Sequence, residues 1–360
     1  MGATTMKKSI VIALGAAAAI AVVGAAVTVH QRAQLLAGSS RVEPVLPGLG
    51  DRLSQVEQVE INQGKTTIRV ARMGDHWVAP DKAGYPAKFE TIRKNLVALA
   101  DLKTLEAKTT RAELFSRLQL EDPAGDGAKS VGVALKHAKG AALAELIIGK
   151  RRPNLSGGPD RIYVRRAGQN QAWLAEGNLD FRVDAAEWLE RDIINIAGQR
   201  VREAVNVLPD GKRLTVRRDK PEDSDLKIVG VAADAKIKSQ YSVNAVAGAL
   251  ETLTLDDVRP ASELEFMPAG GWAELKTVDG LVVKVEIANK DDKGWLRLTA
   301  SYQAPAAGAA PADGKTPEQV QDEVKAINAR VGGWAYHVSQ YKLEKFQTKL
   351  SELLEEAKSS

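Results

Sequence analysis

The chain has 360 residues, 44% of them hydrophobic and 27% charged, so it can bury a core and has room for about two domains beside an anchor. The formal net charge is only +4 with both signs interspersed, which argues against nucleic-acid binding. There is no cysteine, which excludes disulfides, thiolate catalysis, a lipoprotein anchor, and Cys-based zinc or iron–sulfur sites.

Residues 1–9 carry Lys7 and Lys8, and an uninterrupted apolar run, Ile10 to Val29, follows them. A bilayer core about 30 Å thick needs roughly 20 such residues in a helix. Its three Ile, five Val and Leu14 supply about 3–5 kcal/mol of insertion free energy, and its eight Ala are close to neutral. The lysine pair predicts a cytoplasmic N-terminus and an exported remainder. A cleaved signal peptide is the alternative, with Val23-Gly24-Ala25 as its small-residue cleavage site. The length of the run favours an uncleaved transmembrane anchor at 10–29.

Residues 30–52 read as a linker, because Gly38-Ser39-Ser40, Pro44, Pro47, Gly48 and Gly50 oppose regular structure. From Leu53 the pattern becomes strand-like. Val56, Val59 and Ile61 precede a Gln63-Gly64 turn, Thr67 to Ala71 alternates, and Gly74-Asp75 leads into His76-Trp77-Val78. Phe89, Ile92, Leu96 and Leu99 then recur at helical spacing, and their helix is expected to cover Trp77 in the core of the first half. Thr110 to Leu118 reads as a short helix with Thr110 as N-cap. Val131 to Leu135, Leu143 to Ile148, Arg161 to Arg165 and Ala172 to Leu174 read as strands, and Asn178 to Leu189 as a closing helix.

The same order then recurs. Glu203 to Val207 and Arg213 to Arg217 flank an Asp210-Gly211 turn, and Leu226 to Val229 matches the Trp77 strand. Ser242 to Leu253 reads as a helix, strands follow from Trp272 to Ser301, and Trp334 to Val338 leads to a helix over Leu343 to Leu354. The predicted fold class is therefore α+β: an N-terminal transmembrane helix, then two related, duplicated domains of antiparallel sheet packed with helices, at 53–197 and 198–357. A low-complexity insertion, 304–317, and a helix from Glu318 to Val331 interrupt the second copy.

Few motifs carry chemistry. Gly64-Lys65-Thr66 and Gly314-Lys315-Thr316 lack the upstream glycine of a P-loop, since Val59 and Ala309 stand there. His30, His76, His137 and His337 have no partner at a metal-ligand spacing. The acid pairs Asp256-Asp257 and Asp291-Asp292 read as solvated turns, and no catalytic or cofactor-binding grouping is recognisable. The densest basic cluster is Lys150, Arg151 and Arg152 with Arg161, Arg165 and Arg166. Pairing of their strands would gather these side chains into one patch suited to anionic headgroups or an acidic partner; the alternative is an ordinary solvated strand end.

Several stretches carry a family resemblance: GDHWVAP around Trp77, YPAKFETIRKNLVALADL, LQLEDP from Leu118 to Pro123, IIGKR from Ile147 to Arg151, and RIYVRR followed by AWLAEGNLDF. With the anchor and the repeat, the chain resembles the domain-of-unknown-function family 4340, most strongly over Leu53 to Ile194. One departure is Gln119, where the family more often has Gly. The resemblance implies a bacterial protein of the inner membrane with its bulk in the periplasm, encoded beside ABC-type transport components of the gliding-motility kind. The expected function is that of a non-enzymatic accessory or binding protein, without cofactor, that meets transporter subunits or another envelope protein. The alternative is an envelope enzyme, such as a cell-wall polymer hydrolase, with a site between the two halves.

Overall fold

The computed structural model describes residues 42–155, 157–232, 235–266, 270–305 and 314–355. The anchor expected at 10–29 lies outside them, as does most of the low-complexity insertion. Among the described residues, no helix is long and apolar enough to cross a membrane.

Strands β1 (Gln58–Gln63) and β2 (Thr66–Met73) form a hairpin that closes at Gly64, whose φ of +56° a side chain would resist. Strands β3 (His76–Ala79) and β4 (Tyr85–Pro86) follow. Helix α1 (Phe89–Ala100) buries Ile92, Asn95, Leu96 and Leu99, while Phe89 in its first turn is exposed. Asn95 is tolerated inside because its amide donates to Thr91 O and accepts the Asp180 N–H, both at 3.0 Å.

Next come β5 (Lys103–Ala107) and α2 (Phe115–Leu118). The helix expected from Thr110 is thus cut to one turn, preceded by a 3-10 turn. Thr109, not Thr110, bonds the local backbone through its hydroxyl, at 3.1 Å from the Arg111 amide. Strands β6 (Val131–Lys136), β7 (Ala142–Arg152), β8 (Arg161–Arg166), β9 (Ala172–Glu176) and β10 (Asp192–Ile194) follow.

The helix expected over Asn178–Leu189 does not form. A 3-10 turn, Ala185–Trp188, stands there, opened by Asp184, whose carboxylate accepts the Ala186 amide. Leu179 and Phe181, then Ala186 and Trp188, are buried two apart, a spacing that a helix cannot bury on one face.

The remaining strands are β11 (Val201–Val207), β12 (Arg213–Arg217) and β13 (Lys227–Ile228), followed by α3 (Gln240–Ala247). Then come β14 (Leu253–Thr254), β15 (Asp257–Pro260), β16 (Trp272–Thr277), β17 (Leu281–Lys290) and β18 (Lys293–Tyr302). Helix α4 (Pro317–Val331) starts in a capping box, Thr316 with Gln319, which accounts for Gly314-Lys315-Thr316 as a helix entry. Strand β19 (Trp334–His337) precedes α5 (Gln340–Phe346) and α6 (Leu350–Leu353). The single closing helix expected over Leu343–Leu354 is therefore broken. The Thr348 hydroxyl donates to the carbonyls of Glu344 and Lys345, both at 3.2 Å, and takes the places of the next ladder bonds.

The protein is α+β and falls into two compact units. One comprises the described residues up to Arg72 with Phe89–Val183; the other comprises Met73–Lys88 with the chain from Asp184 onward. In the first, the strands run β2-β1-β6-β7-β8-β9-β5, each pairing antiparallel. In the second, an 8-stranded sheet runs β13-β12-β11-β16-β17-β18-β19-β15, with β10 and β14 in a separate ribbon.

The second unit's core joins Val201, Ala204, Leu275, Val283, Val285 and Leu296 of the sheet to Val243, Val246 and Leu250. Segment 73–88 belongs to this core through Ala79 and Tyr85, whose ring stands edge-on to Trp334 at 5.0 Å and to Tyr336 at 6.2 Å. Trp77 is buried as expected, but the segment that carries it groups with the second unit, not the first.

Candidate functional site

Strands β7 and β8 pair antiparallel, Ile148 opposite Val164 and Arg152 opposite Arg161, with a bulge between Ile148 and Arg151. The connection is Pro153 to Asp160. Asp160 organises its base: Oδ2 accepts Arg151 Nε at 2.5 Å, Oδ1 accepts the Asn154 amide at 2.9 Å, and its own amide donates to Asn178 Oδ1 at 3.2 Å. The Asn154 amide, and then the Arg151 guanidinium, hold the Asp160 carboxyl below the ordinary carboxylate range.

The structure separates the six basic residues singled out in the sequence. Arg165 is committed to the fold: Nη1 donates to Gln169 O at 3.0 Å, Nη2 to Leu120 O at 3.2 Å, and its guanidinium covers the Phe115 ring at 4.5 Å. Burial pushes its pKa down from the arginine range. Arg166, on the opposite face of β8, donates from Nε to Val45 O at 2.5 Å and ties down the incoming chain. Arg151 shares its charge with Asp160.

Lys150, Arg152 and Arg161 are exposed and make no ion pair among the described residues. The Arg152 guanidinium lies over the Tyr163 ring, 5.2 Å from its centroid, in a residue that stays exposed. Glu176 lies opposite Arg161 in the β8–β9 register. The cluster is thus a hairpin end with three surface cations, not a patch of six.

The sequence reading missed Leu155. It lies in the hairpin connection, is 98% exposed, and is flanked by these cations. The available signal was a lone apolar residue inside PNLSGGP, a stretch otherwise made of turn formers.

A second charge cluster escaped the sequence reading because its members are far apart in the chain. Arg200 donates from Nε to Asp279 Oδ2 at 2.9 Å, and from Nη1 and Nη2 to the two Glu323 oxygens at 2.8 and 2.6 Å. Thr277 donates to Asp279 at 2.5 Å, and Lys315 pairs with Glu323 at 3.0 Å. Asp279 is 3% exposed at its side chain. Burial pushes its carboxyl up, but Arg200 and Thr277 outweigh burial and hold it low; Glu323 is held low in the same way by Arg200 and Lys315. This network fastens α4 to the turn between β16 and β17. Arg218 is likewise structural, buried with its donors on the carbonyls of Val201, Gly198, Asp223 and Ser224.

The paired acids also find partners: Asp257 meets Lys82 at 2.6 Å and Asp256 meets Arg191 at 3.5 Å, rather than standing as free turn charges. Asp291 and Asp292 do form a turn, both at positive φ. Among the described residues, no group of three or more His, Asp or Glu is placed to hold a metal ion.

Two motifs of the family resemblance meet here. A side chain at Gly149, in IIGKR, would lie 2.4 Å from Leu118 O and 2.7 Å from Gln119 O, in LQLEDP. Gln119 itself has φ +57°, the left-handed conformation that favours glycine.

No curated protein and no solved structure matches the chain. The family model described as Domain of unknown function (DUF4340) matches residues 77–267, so the match reaches well beyond Ile194 into the second unit. That range covers more than half of the 360 residues, and the chain is a member of the DUF4340 family.

Proposed function

We propose that this protein is a bacterial inner-membrane protein, anchored by Ile10 to Val29, whose two α+β units lie in the periplasm and serve an ABC-type transport system as an accessory or binding module. The observation that carries the reading is the charge-then-apolar start, Lys7-Lys8 before 20 uncharged residues, on a DUF4340 chain. The exposed cations of the β7–β8 hairpin support a contact role. The two units derive, in this reading, from one duplicated plan. Its support is their strand order: β2-β1-β6-β7-β8-β9-β5 in one and β12-β11-β16-β17-β18-β19-β15 in the other, with α1 between β2 and β5 and α3 between β12 and β15.

The test is affinity capture of the full chain from detergent-solubilised membranes through a tag after Ser360, followed by mass spectrometry. Recurrent recovery of ATP-binding-cassette transporter subunits is the expected result. A preparation free of such subunits that turns over a cell-wall polymer would contradict the accessory role and favour a hydrolase.

A further inference from the structure

We propose that the β7–β8 hairpin is a membrane-surface contact: Leu155 enters the interface of an anionic bilayer while Lys150, Arg152 and Arg161 engage its phosphate headgroups. The inference rests on the anchored reading above for its geometry, but on its own residues for its chemistry.

An isolated leucine that is 98% exposed is unremarkable on a surface, but this one projects from a Pro- and Gly-rich connection. Arg152 and Arg161 pair at the strand ends from which this connection leaves, and Lys150 lies in the bulge behind them; all three are exposed and none is in an ion pair among the described residues. The nearby acids do not cancel them: Asp160 is turned inward onto Arg151 and the Asn154 amide, which leaves Glu176 as the cross-strand carboxylate. An apolar tip beyond exposed strand-end cations matches the two layers of a lipid surface, anionic headgroups over acyl chains. An acidic protein would answer the cations, but it would answer the leucine only if it also offered an apolar pocket.

The hairpin is within reach of the membrane. Arg166 holds Val45, so the linker arrives at β8, the strand that begins at Arg161. Five residues of strand span about 17 Å. Glu43 and Pro44 are already tied to β5, so the free part of the linker is 30–42, which can extend to about 45 Å, enough to let the hairpin touch the bilayer. Tethering also raises the effective concentration of the surface to about the millimolar range, so a weak contact is occupied. Each of the three cations contributes about fivefold to binding an anionic surface.

The chain has no cysteine, so Leu155→Cys supplies a unique thiol for a polarity-sensitive nitrobenzoxadiazole label. The labelled full chain is reconstituted into vesicles of phosphatidylcholine alone, or of phosphatidylcholine with phosphatidylglycerol. The expected result is a several-fold rise and blue shift of emission in the anionic vesicles only. The rise should be quenched by spin-labelled lipid, reversed at about 1 M salt where the Debye length is about 3 Å, and abolished by the added changes K150E, R152E and R161E. Equal emission in both vesicles, or a rise produced by soluble polyglutamate instead of lipid, would overturn the inference.

Retention in phosphatidylcholine vesicles through an alkaline wash reports the anchor separately. A chain that is lost in that wash, yet responds to anionic vesicles added to it, sinks the anchor and keeps the hairpin contact.

Discussion

The Arg200 cluster and the β7–β8 hairpin use the same side-chain chemistry to opposite ends. Arg200 places its guanidinium between two carboxylates and leaves Asp279 almost no contact with water. Lys150, Arg152 and Arg161 stand in solvent without an ion pair among the described residues. Charge density in the sequence does not separate the two cases, since the hairpin is the denser. Partners brought from distant segments do. A cation paired with a buried carboxylate cannot be lost without leaving that carboxylate uncompensated, whereas an exposed cation outside any ion pair can meet something else.

The largest expected effect breaks the buried member of this comparison. Arg200→Ala leaves Asp279 and Glu323 without their main donor, and removing one partner of a buried pair costs about 3–5 kcal/mol. Since a domain holds only about 5–15 kcal/mol, urea denaturation of this variant should show a clear loss of stability. An unchanged midpoint would contradict the clamp.

Protonation should do the same job. Both carboxyls have folded pKa values below their unfolded ones. Their stabilisation is therefore complete above the unfolded value of about 4, and is lost as pH falls through the lower folded values. Denaturation midpoints followed downward from neutral pH should fall steeply only below about pH 4 in the wild type. They should fall less in Arg200→Ala.

The hairpin predicts the reverse. Replacing Lys150, Arg152 and Arg161 together by alanine should move stability by no more than about 0.5 kcal/mol per site, the range of ordinary surface changes. A large drop in melting temperature would mean that these cations are structural after all. The smallest effect sharpens the hairpin's support: Gln119→Gly relieves a left-handed backbone strained by roughly 1 kcal/mol and should raise the melting temperature slightly.

These residues also show what the sequence could and could not reveal. Alternation and turn signals located most strands, because a strand's pattern is local and glycines such as Gly64 mark its hairpins. Helical spacing misleads where side chains bond the backbone instead, as Asp184 and Thr348 do. In the basic cluster, adjacency along the chain was legible, but the fates of Arg165 and Arg166 depend on Leu120, Phe115 and Val45, which only folding brings near. The same holds for Arg200, whose partners lie 79 and 123 residues away.

The comparison matters for function only if the hairpin lies on the outer side of the inner membrane, and topology tests that most directly. Alkaline phosphatase, which is active only after export, is fused after Ser360 of the full chain, and a reporter active only in the cytoplasm is fused at the same point in parallel. The account predicts phosphatase activity in intact cells and a silent cytoplasmic reporter. An active cytoplasmic reporter with silent phosphatase would contradict it.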